Sequence, residues 1–352
     1  MPGRIDPAGV GHGRRMHLPE PRGPLSEALC RDLATRTALS ATTIERADRV
    51  AAAGACALTD EDLQITLAVL YELHYRGFEG VSDDWEWDPA LLRLRAGLER
   101  RHLAALRDLV GPVAATDEPI DRQLTALIAA DDGPSLSSFM AKKGTLEQWR
   151  EYLTLRSVYH LKEADPHTFA VPRLSGRAKA AMVEIQADEY GGGAPERTHS
   201  ELFAGLMRDL GLDPAYGALW DDAPAVAFAS VNTMSLFGMH RRWRGAALGH
   251  LAAVEMTSSE PSRRYSAGLR RLGFDERVTV FYDEHVEADA VHEQIASVDM
   301  CGSLVADEPG LAPDVLFGAA CSLAMDGVAA THLLGAWETG RSALRRERPL
   351  AA

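Results

Sequence analysis

The spacing of the apolar residues constrains the fold of this chain more than any other feature, because they recur three and four positions apart. Leu63, Leu67 and Leu70 follow this spacing, and Trp149 and Tyr152 begin a second such segment. Side chains at these intervals share one face of an α-helix, whereas a half-buried strand needs strict alternation. Only residues 278–281 leave a short β segment open as an alternative. The sequence therefore predicts an all-α fold, a helical bundle.

Composition divides the chain into three parts. Residues 1–24 are rich in glycine and proline and have few large apolar groups, so we expect a disordered N-terminal tail. Residues 25–135 are predicted to form an N-terminal helical region, and residues 136–345 a second helical domain.

Net charge and cysteine spacing exclude several classes of protein. A formal net charge of -14 repels phosphate backbones and anionic lipids, so nucleic acid is not expected as a partner. The longest apolar stretch, 315–330, is shorter than a membrane span and contains Asp326, so no membrane is expected. The cysteines form no CxxC pair, which argues against a zinc ribbon or a disulfide framework and favours a cytoplasmic location. They are Cys30, Cys56, Cys301 and Cys321.

Three metal-competent side chains share one predicted helix. His285, Asp289 and His292 stand at positions i, i+4 and i+7, which an α-helix places on a single stripe. Three glutamates crowd the same segment, so a solvated polar face is the alternative interpretation.

A second pattern precedes this helix. Glu196 and His199 have the i, i+3 spacing by which helical di-iron proteins supply a carboxylate and an imidazole from one turn. Glu189 ends the preceding predicted helix and is followed by glycines 191–193. The glycines could form a hinge that lets a carboxylate enter or leave a coordination sphere, or could simply break the helix.

Two further carboxylates, Glu163 and Glu255, lie in helical and partly apolar surroundings. A buried carboxylate is costly unless it faces a metal, an arginine or solvent. With the residues above, they make a set of oxygen and nitrogen donors without a thiolate, which suits iron or manganese. The set is large enough to hold two ions with open positions.

Several segments of the chain resemble the haem-oxygenase-like di-iron oxidases, also described as iron-containing redox enzymes. The resemblance is carried by LKEADPHTFAVPRLSGRAKAAMVEIQADEYGGGAPERTHSELF and FYDEHVEADAVHEQ, and LYELHYRGFEGVSDDWEWDP at 70–89 extends it towards the N-terminus. It implies a haem-oxygenase-like helical bundle over 136–345 with an additional N-terminal helical region. It also implies two iron ions in place of haem, and dioxygen activated through a peroxo-level intermediate.

The resemblance implies a role for each candidate ligand. Glu163 would be the ligand from the first helix, and Glu196 and His199 the pair from the second. The late helix would supply His285, Asp289 and His292, and Glu189 would be a supplementary, mobile carboxylate. Glu255 is carried over only by its position between the other ligand helices. The complete implied set is Glu163, Glu189, Glu196, His199, Glu255, His285, Asp289 and His292.

The expected function is that of an iron-dependent oxidoreductase, an oxidase or oxygenase with dioxygen as co-substrate. Its substrate would be a small amine, amino acid or carboxylic acid, modified by N-oxygenation or oxidative C–C cleavage in natural-product metabolism. An external reductant would supply electrons, and a homodimer is a further expectation. Two alternatives stay open: a haem-binding or haem-degrading protein, and a non-catalytic helical metal-binding protein.

Overall fold

The computed structural model describes residues 15–346 apart from 36 and 55, and only the backbone of 287–290. Within this described part, regular structure is helical apart from one β-bridge between Met16 and Phe78. The prediction of an all-α helical bundle with an additional N-terminal helical region is confirmed. Residues 278–281 lie inside a helix, so the alternative of a strand there is wrong: Val278 and Phe281 are both buried on one helical face.

Six helices precede the segment that carries the candidate ligands. They are α1 (Pro24–Thr35), α2 (Ala41–Ala52), α3 (Glu61–Glu72), α4 (Pro89–Val110), α5 (Ile120–Ala129) and α6 (Leu136–Lys142).

Ten further helices follow. They are α7 (Leu146–His160), α8 (Asp165–Thr168), α9 (Gly176–Glu189), α10 (His199–Asp209), α11 (Ala225–Met239), α12 (Arg244–Thr257), α13 (Ser259–Arg271), α14 (Glu276–Gln294), α15 (Ser303–Asp307) and α16 (Ala312–Glu338). A π-helical segment, Ile295–Gly302, joins α14 to α15.

Helix α7, which leads into the candidate site, begins at a capping box. The Thr145 hydroxyl accepts a hydrogen bond from the backbone N–H of Gln148, and the Gln148 side chain accepts one from the backbone N–H of Thr145. The two bonds satisfy donors that the first helical turn leaves unpaired. The start of α7 is therefore fixed by its own sequence.

The N-terminal helices and the later ones share one core through a buried polar network. The Gln64 amide of α3 donates to Nδ1 of His102 in α4, 3.0 Å away, and Nε2 of His102 lies 2.9 Å from the Thr233 hydroxyl of α11. Asn232 of α11 donates to the Gln64 carbonyl oxygens. The division of the chain at residues 24 and 135 stays a prediction.

Part of the segment expected to be a disordered tail packs against this core. Met16 is buried, and the backbone N–H of Glu79 donates to its carbonyl oxygen. The guanidinium of Arg22 is 1% exposed and pairs with Glu61 at 2.5 Å. Burial of these side chains holds residues 15–23 in place, so the predicted disorder does not extend to them. Residues 1–14 lie outside the described residues.

Helix α16 packs closely on α12. Gly249 of α12 faces the backbone of Val315, and Gly318 of α16 faces the backbone of Ala246, each too near to admit a Cβ atom. The stretch Pro309–Glu338 is long and apolar enough to cross a membrane, and half of its most apolar window is buried within the protein. The core helix of a globular protein has the same properties, and the close packing on α12 agrees with that role. A cytoplasmic location without a membrane stays a prediction.

Candidate metal centre

Three candidate ligands from three different elements meet in the interior of the bundle. Glu163 lies in the turn after α7, His199 is the first residue of α10, and His285 lies midway along α14. One ligand atom from each lies within 4.8 Å of the others. All three residues are buried, with 7%, 2% and 8% of their surface exposed. The structure therefore brings together side chains that are far apart in the sequence.

Glu189, the last residue of α9, extends this group. Its Oε2 lies 3.1 Å from Nδ1 of His199, yet neither atom has a hydrogen-bond partner of acceptable geometry among the described residues. The same holds for Oε2 of Glu163. A buried polar atom left unsatisfied costs about 1 to 3 kcal/mol. Three buried polar atoms without a partner in the described part of the chain therefore lie together, an arrangement that suits the binding of a cation.

The protonation of His199 reflects its acidic surroundings. Burial disfavours the charged imidazolium, but the Glu189 carboxylate outweighs burial and raises the pKa of His199 above its ordinary value. A cation in this space would take over the role of that proton.

His285 presents a specific nitrogen to the group. Its Nδ1 donates a hydrogen bond to the carbonyl oxygen of Phe281, 2.7 Å away. Its Nε2 lies 3.8 Å from Oε1 of Glu163. Histidines that bind metals use one ring nitrogen in this way to fix the tautomer of the other.

Glu163 is held from its other side by His160. Nδ1 of His160 lies 2.6 Å from Oε1 of Glu163. Burial opposes ionisation of Glu163, but His160 and His285 outweigh it and hold the pKa of Glu163 well below its ordinary value. Burial lowers the pKa of His160 to about 4, so this imidazole is neutral near pH 7. Glu163 is thus an ionised carboxylate with one oxygen already oriented.

Glu255 and His292 form a second pair beside the first group. Oε2 of Glu255, from α12, lies 3.2 Å from Nδ1 of His292, from α14. Nε2 of His292 lies 2.9 Å from Oδ2 of Asp188. Burial raises the pKa of Glu255, and the hydrogen bond from His292 offsets only part of this effect. Both ring nitrogens of His292 therefore already contact a carboxylate.

Two cavities adjoin these residues. The smaller, about 10 Å³, is lined by Glu163, Glu189, Glu255 and His285, and has room for about one water-sized particle. The larger, about 340 Å³, also reaches Glu163 and His285. Its volume lies within the range of small-molecule sites in proteins. A space large enough for an ion thus lies beside a cavity large enough for a small molecule.

Glu196 does not join the group, and its predicted helical pairing with His199 is wrong. Glu196 is exposed and lies in a separate 3-10 turn, Pro195–Arg197. Thr198 has an extended backbone, with φ -61° and ψ 139°, and its hydroxyl caps helix α10. The two residues therefore never share a helical turn.

The glycines before Glu196 make the connection that pairs Glu189 with His199 instead. Gly191, Gly192 and Gly193 all have positive φ values, of 67°, 61° and 88°. This conformation reverses the chain between α9 and α10. Glu189, which precedes the turn, thus takes the place beside His199 that was predicted for Glu196.

Asp289 has its backbone in α14, but its side chain lies outside the described residues. Its place among the predicted ligands therefore stays a prediction.

Two contacts at the site were not expected from the sequence. His160, which holds Glu163, could have been found from the spacing His160-x-x-Glu163, the reverse of the pattern that drew attention to Glu196. Asp188, which contacts His292, gives no such signal, because α9 and α14 meet only in the folded protein.

Two arginines that flank Trp243 in the sequence, Arg242 and Arg244, do not belong to the candidate site. Arg244 pairs with Glu308, and the Arg242 guanidinium lies 4.4 Å from the centre of the Trp243 ring. Neither lines the two cavities.

The donor set fits an iron ion. It combines carboxylate oxygens with neutral imidazole nitrogens and has no thiolate, a combination suited to iron and manganese. The unsatisfied atoms of Glu163, Glu189 and His199 would be ligands of such an ion.

Comparison with known proteins agrees with this chemistry. Nitrosourea synthase from Streptomyces achromogenes subsp. streptozoticus is 25% identical over 253 residues, which cover 69% of this chain and 54% of that protein. The chain thus spans about half the length of this relative. Residues 150–327, half of the chain, match the family described as iron-containing redox enzymes. These residues include every buried carboxylate and imidazole of the candidate centre, and the chain belongs to that family of iron-containing redox enzymes.

Proposed function

We propose that this protein is an oxidase or oxygenase that binds two iron ions and uses dioxygen to oxidise a small amine, amino acid or carboxylic acid. The observation that carries the proposal is the buried group of Glu163, His199 and His285, whose ligand atoms lie within 4.8 Å of one another. The similarity to nitrosourea synthase supports a role in natural-product metabolism and a substrate that contains nitrogen.

In this proposal, the ions are held by two neighbouring sets of side chains. Glu163, Glu189, His199 and His285 would hold the first, and Glu255 and His292 the second, with Asp289 added by the family resemblance. Two ferrous ions would supply electrons to dioxygen, and an external reductant would restore them. The carboxylates would balance the charge of the ions in a buried part of the protein.

The larger cavity is the proposed substrate site, because it opens on Glu163 and His285. Tyr152, Tyr265 and Tyr282 line it, and burial raises the pKa of each of these phenols. They stay protonated at neutral pH and can donate hydrogen bonds to a bound molecule. The remaining walls combine apolar side chains with charged and hydroxyl-bearing ones, so both parts of an amphipathic substrate would find partners there.

The proposal is tested by iron binding to the anaerobic apoprotein followed by mixing with dioxygen in a stopped-flow spectrometer. We expect wild type to bind up to two irons, to consume dioxygen and to give a transient visible absorption. His285→Ala and Glu163→Gln should lose the consumption of dioxygen and the transient absorption. Glu196→Gln, which alters an exposed carboxylate in the same region, should behave as wild type.

Other results would favour the alternatives. Iron binding without consumption of dioxygen would indicate a non-catalytic metal-binding protein. An intense Soret band after incubation with haem would indicate a haem protein. Wild-type behaviour of both His285→Ala and Glu163→Gln would refute the assigned ligands.

A further inference from the structure

A continuous chain of contacts runs from the wall of the larger cavity to Glu163. Asp326 of α16 accepts a hydrogen bond from Nη1 of Arg156 in α7, at 3.2 Å. Nε of Arg156 donates to Nε2 of His160, at 3.0 Å, and Nδ1 of His160 lies 2.6 Å from Oε1 of Glu163. Asp326, Arg156, His160 and Glu163 all line the larger cavity.

The direction of each bond in this chain is fixed by chemistry. An arginine Nε can only donate, so Nε2 of His160 must accept and carries no proton. The single proton of the neutral imidazole is then on Nδ1, from which it is donated to Glu163. The position of the Arg156 guanidinium therefore sets the tautomer and orientation of His160, and through it one oxygen of Glu163.

Arg156 retains donors that the protein does not use. Nη2 makes no hydrogen bond to any residue that the structure describes, and the side chain is 29% exposed. The partner of Nη1, Asp326, is 60% exposed and can turn towards solvent. A planar guanidinium with free N–H groups matches the two oxygens of a carboxylate.

The second arginine of this cavity differs in the use of its donors and in its lack of a link to the candidate ligands. Arg264 pairs with Glu260 at 3.1 Å and donates to the hydroxyls of Ser135 and Ser138. It has no connection to the candidate ligands. Arg156 is thus the cavity cation that is both available and linked to the centre.

We propose that Arg156 binds an anionic group, a carboxylate, of the molecule that occupies the larger cavity, and that His160 transmits this binding to Glu163. His160 is a positioning residue in this scheme. The inference rests on the proposed function only in taking Glu163 as a metal ligand.

The test uses the full-length apoprotein and two probes of equal shape, hexanoate and uncharged hexanamide. Calorimetric titration should give tighter binding for hexanoate than for hexanamide. Arg156→Gln should weaken hexanoate binding by at least about tenfold and leave hexanamide unchanged. Arg264→Gln is the matched control and should change neither. Asp326→Asn, which removes the competing carboxylate, should strengthen hexanoate binding by about threefold.

A second measurement tests the proposed link between Arg156 and His160. In protein labelled with ¹⁵N-histidine, the resonances of His160, assigned by their loss in His160→Gln, should show a proton on Nδ1 and none on Nε2. Hexanoate should shift these resonances in wild type but not in Arg156→Gln. Arg156→Lys, which keeps the charge but lacks Nε, should retain part of the binding and lose the effect on His160.

The proposal is overturned if hexanoate binds Arg156→Gln as well as wild type, or if His160 carries its proton on Nε2. The wild-type spectrum and the Asp326→Asn titration decide the question even if Arg156→Gln does not fold. All of these measurements are made without iron. They can therefore fail while iron binds at Glu163, and they can succeed while iron does not bind.

Discussion

Glu189 and His199 face each other across the connection between α9 and α10, which contains three glycines, with 3.1 Å between Oε2 and Nδ1. The two residues end and begin neighbouring helices, so their separation depends on the geometry of the turn between them. The backbone of the glycines thus controls a contact between two candidate ligands.

Replacing Gly191 by alanine should disrupt this turn. A Cβ atom at Gly191 would lie 2.6 Å from the backbone carbon of Arg197, and its φ of 67° is strained for any side chain. We expect Gly191→Ala to lower the free energy of unfolding by about 3 kcal/mol and to weaken iron binding. Urea unfolding and anaerobic iron titration measure the two effects.

Gly192 provides the control for backbone strain alone. Its φ is 61°, but a Cβ atom there would meet nothing within 4 Å. Gly192→Ala should cost about 1 kcal/mol and keep iron binding. Equal effects of the two substitutions would mean that the close approach to Arg197 is unimportant.

Removing Asp188 should strengthen binding of the second iron. Its Oδ2 lies 2.9 Å from Nε2 of His292, the nitrogen that is not engaged by Glu255. Asp188 is 59% exposed, so Asp188→Ala should cost little stability. Because iron at Nε2 of His292 would have to displace Asp188, we expect the affinity for the second equivalent of iron to rise by about tenfold.

Glu184→Ala is the control for this experiment, because it removes an exposed carboxylate from the same helix. It should leave both iron affinities unchanged. Weaker binding of the second iron to Asp188→Ala would instead assign Asp188 to the metal-binding set.

The crossing of α12 and α16 should tolerate no side chain at Gly249. A Cβ atom there would lie 1.8 Å from the carbonyl oxygen of Val315, so the helices would have to separate. Gly249→Ala should lower the free energy of unfolding by at least about 3 kcal/mol. Gly327 of α16 has open space around it. Gly327→Ala should therefore raise the free energy of unfolding by up to about 1 kcal/mol. Urea denaturation compares the two variants, and destabilisation by both would contradict this packing.

The buried imidazole of His102 should make the protein less stable in acid. Burial lowers its pKa from 6.5 to about 4, because the charged imidazolium would lose its hydration in the interior. Between these values the unfolded chain binds a proton that the folded protein does not, so stability falls as the pH falls.

His102→Gln should remove this contribution. The dependence of the unfolding free energy on pH between 4 and 6.5 should become shallower by about 1.4 kcal/mol per pH unit. His17→Gln, at a side chain that is 85% exposed, should leave the slope as in wild type. An unchanged slope in His102→Gln would show that His102 does not titrate in this range.

Spacing within one helix predicted some candidate ligands correctly, but it failed where the start of a helix was placed wrongly. The stripe of His285 and His292 lies on one helix, as its spacing predicted. The pairing of Glu196 with His199 failed although the sequence contained a contrary signal. Thr198 and Glu201 have the spacing of a capping box, which marks a helix that begins at His199.

Contacts between distant helices could not be predicted from spacing. The approach of Asp188 to His292 depends on how α9 packs beside α14, and the contact of Arg156 with Asp326 on how α7 lies beside α16. Single-sequence periodicity describes one helix at a time. The sequence identifies Glu163 and Glu255 as carboxylates that need a partner. It does not identify which residues those partners are.

The scattered origin of the centre also determines when iron can enter it. Glu163, His199 and His285 become neighbours only after α7, α10 and α14 have packed together, and α14 is synthesised after the other two helices. A nascent chain that ends before α14 lacks an essential part of the site. An iron ion held by all three residues, as proposed, would therefore bind after α14 has been synthesised and packed, and its retention would be a measure of completed folding.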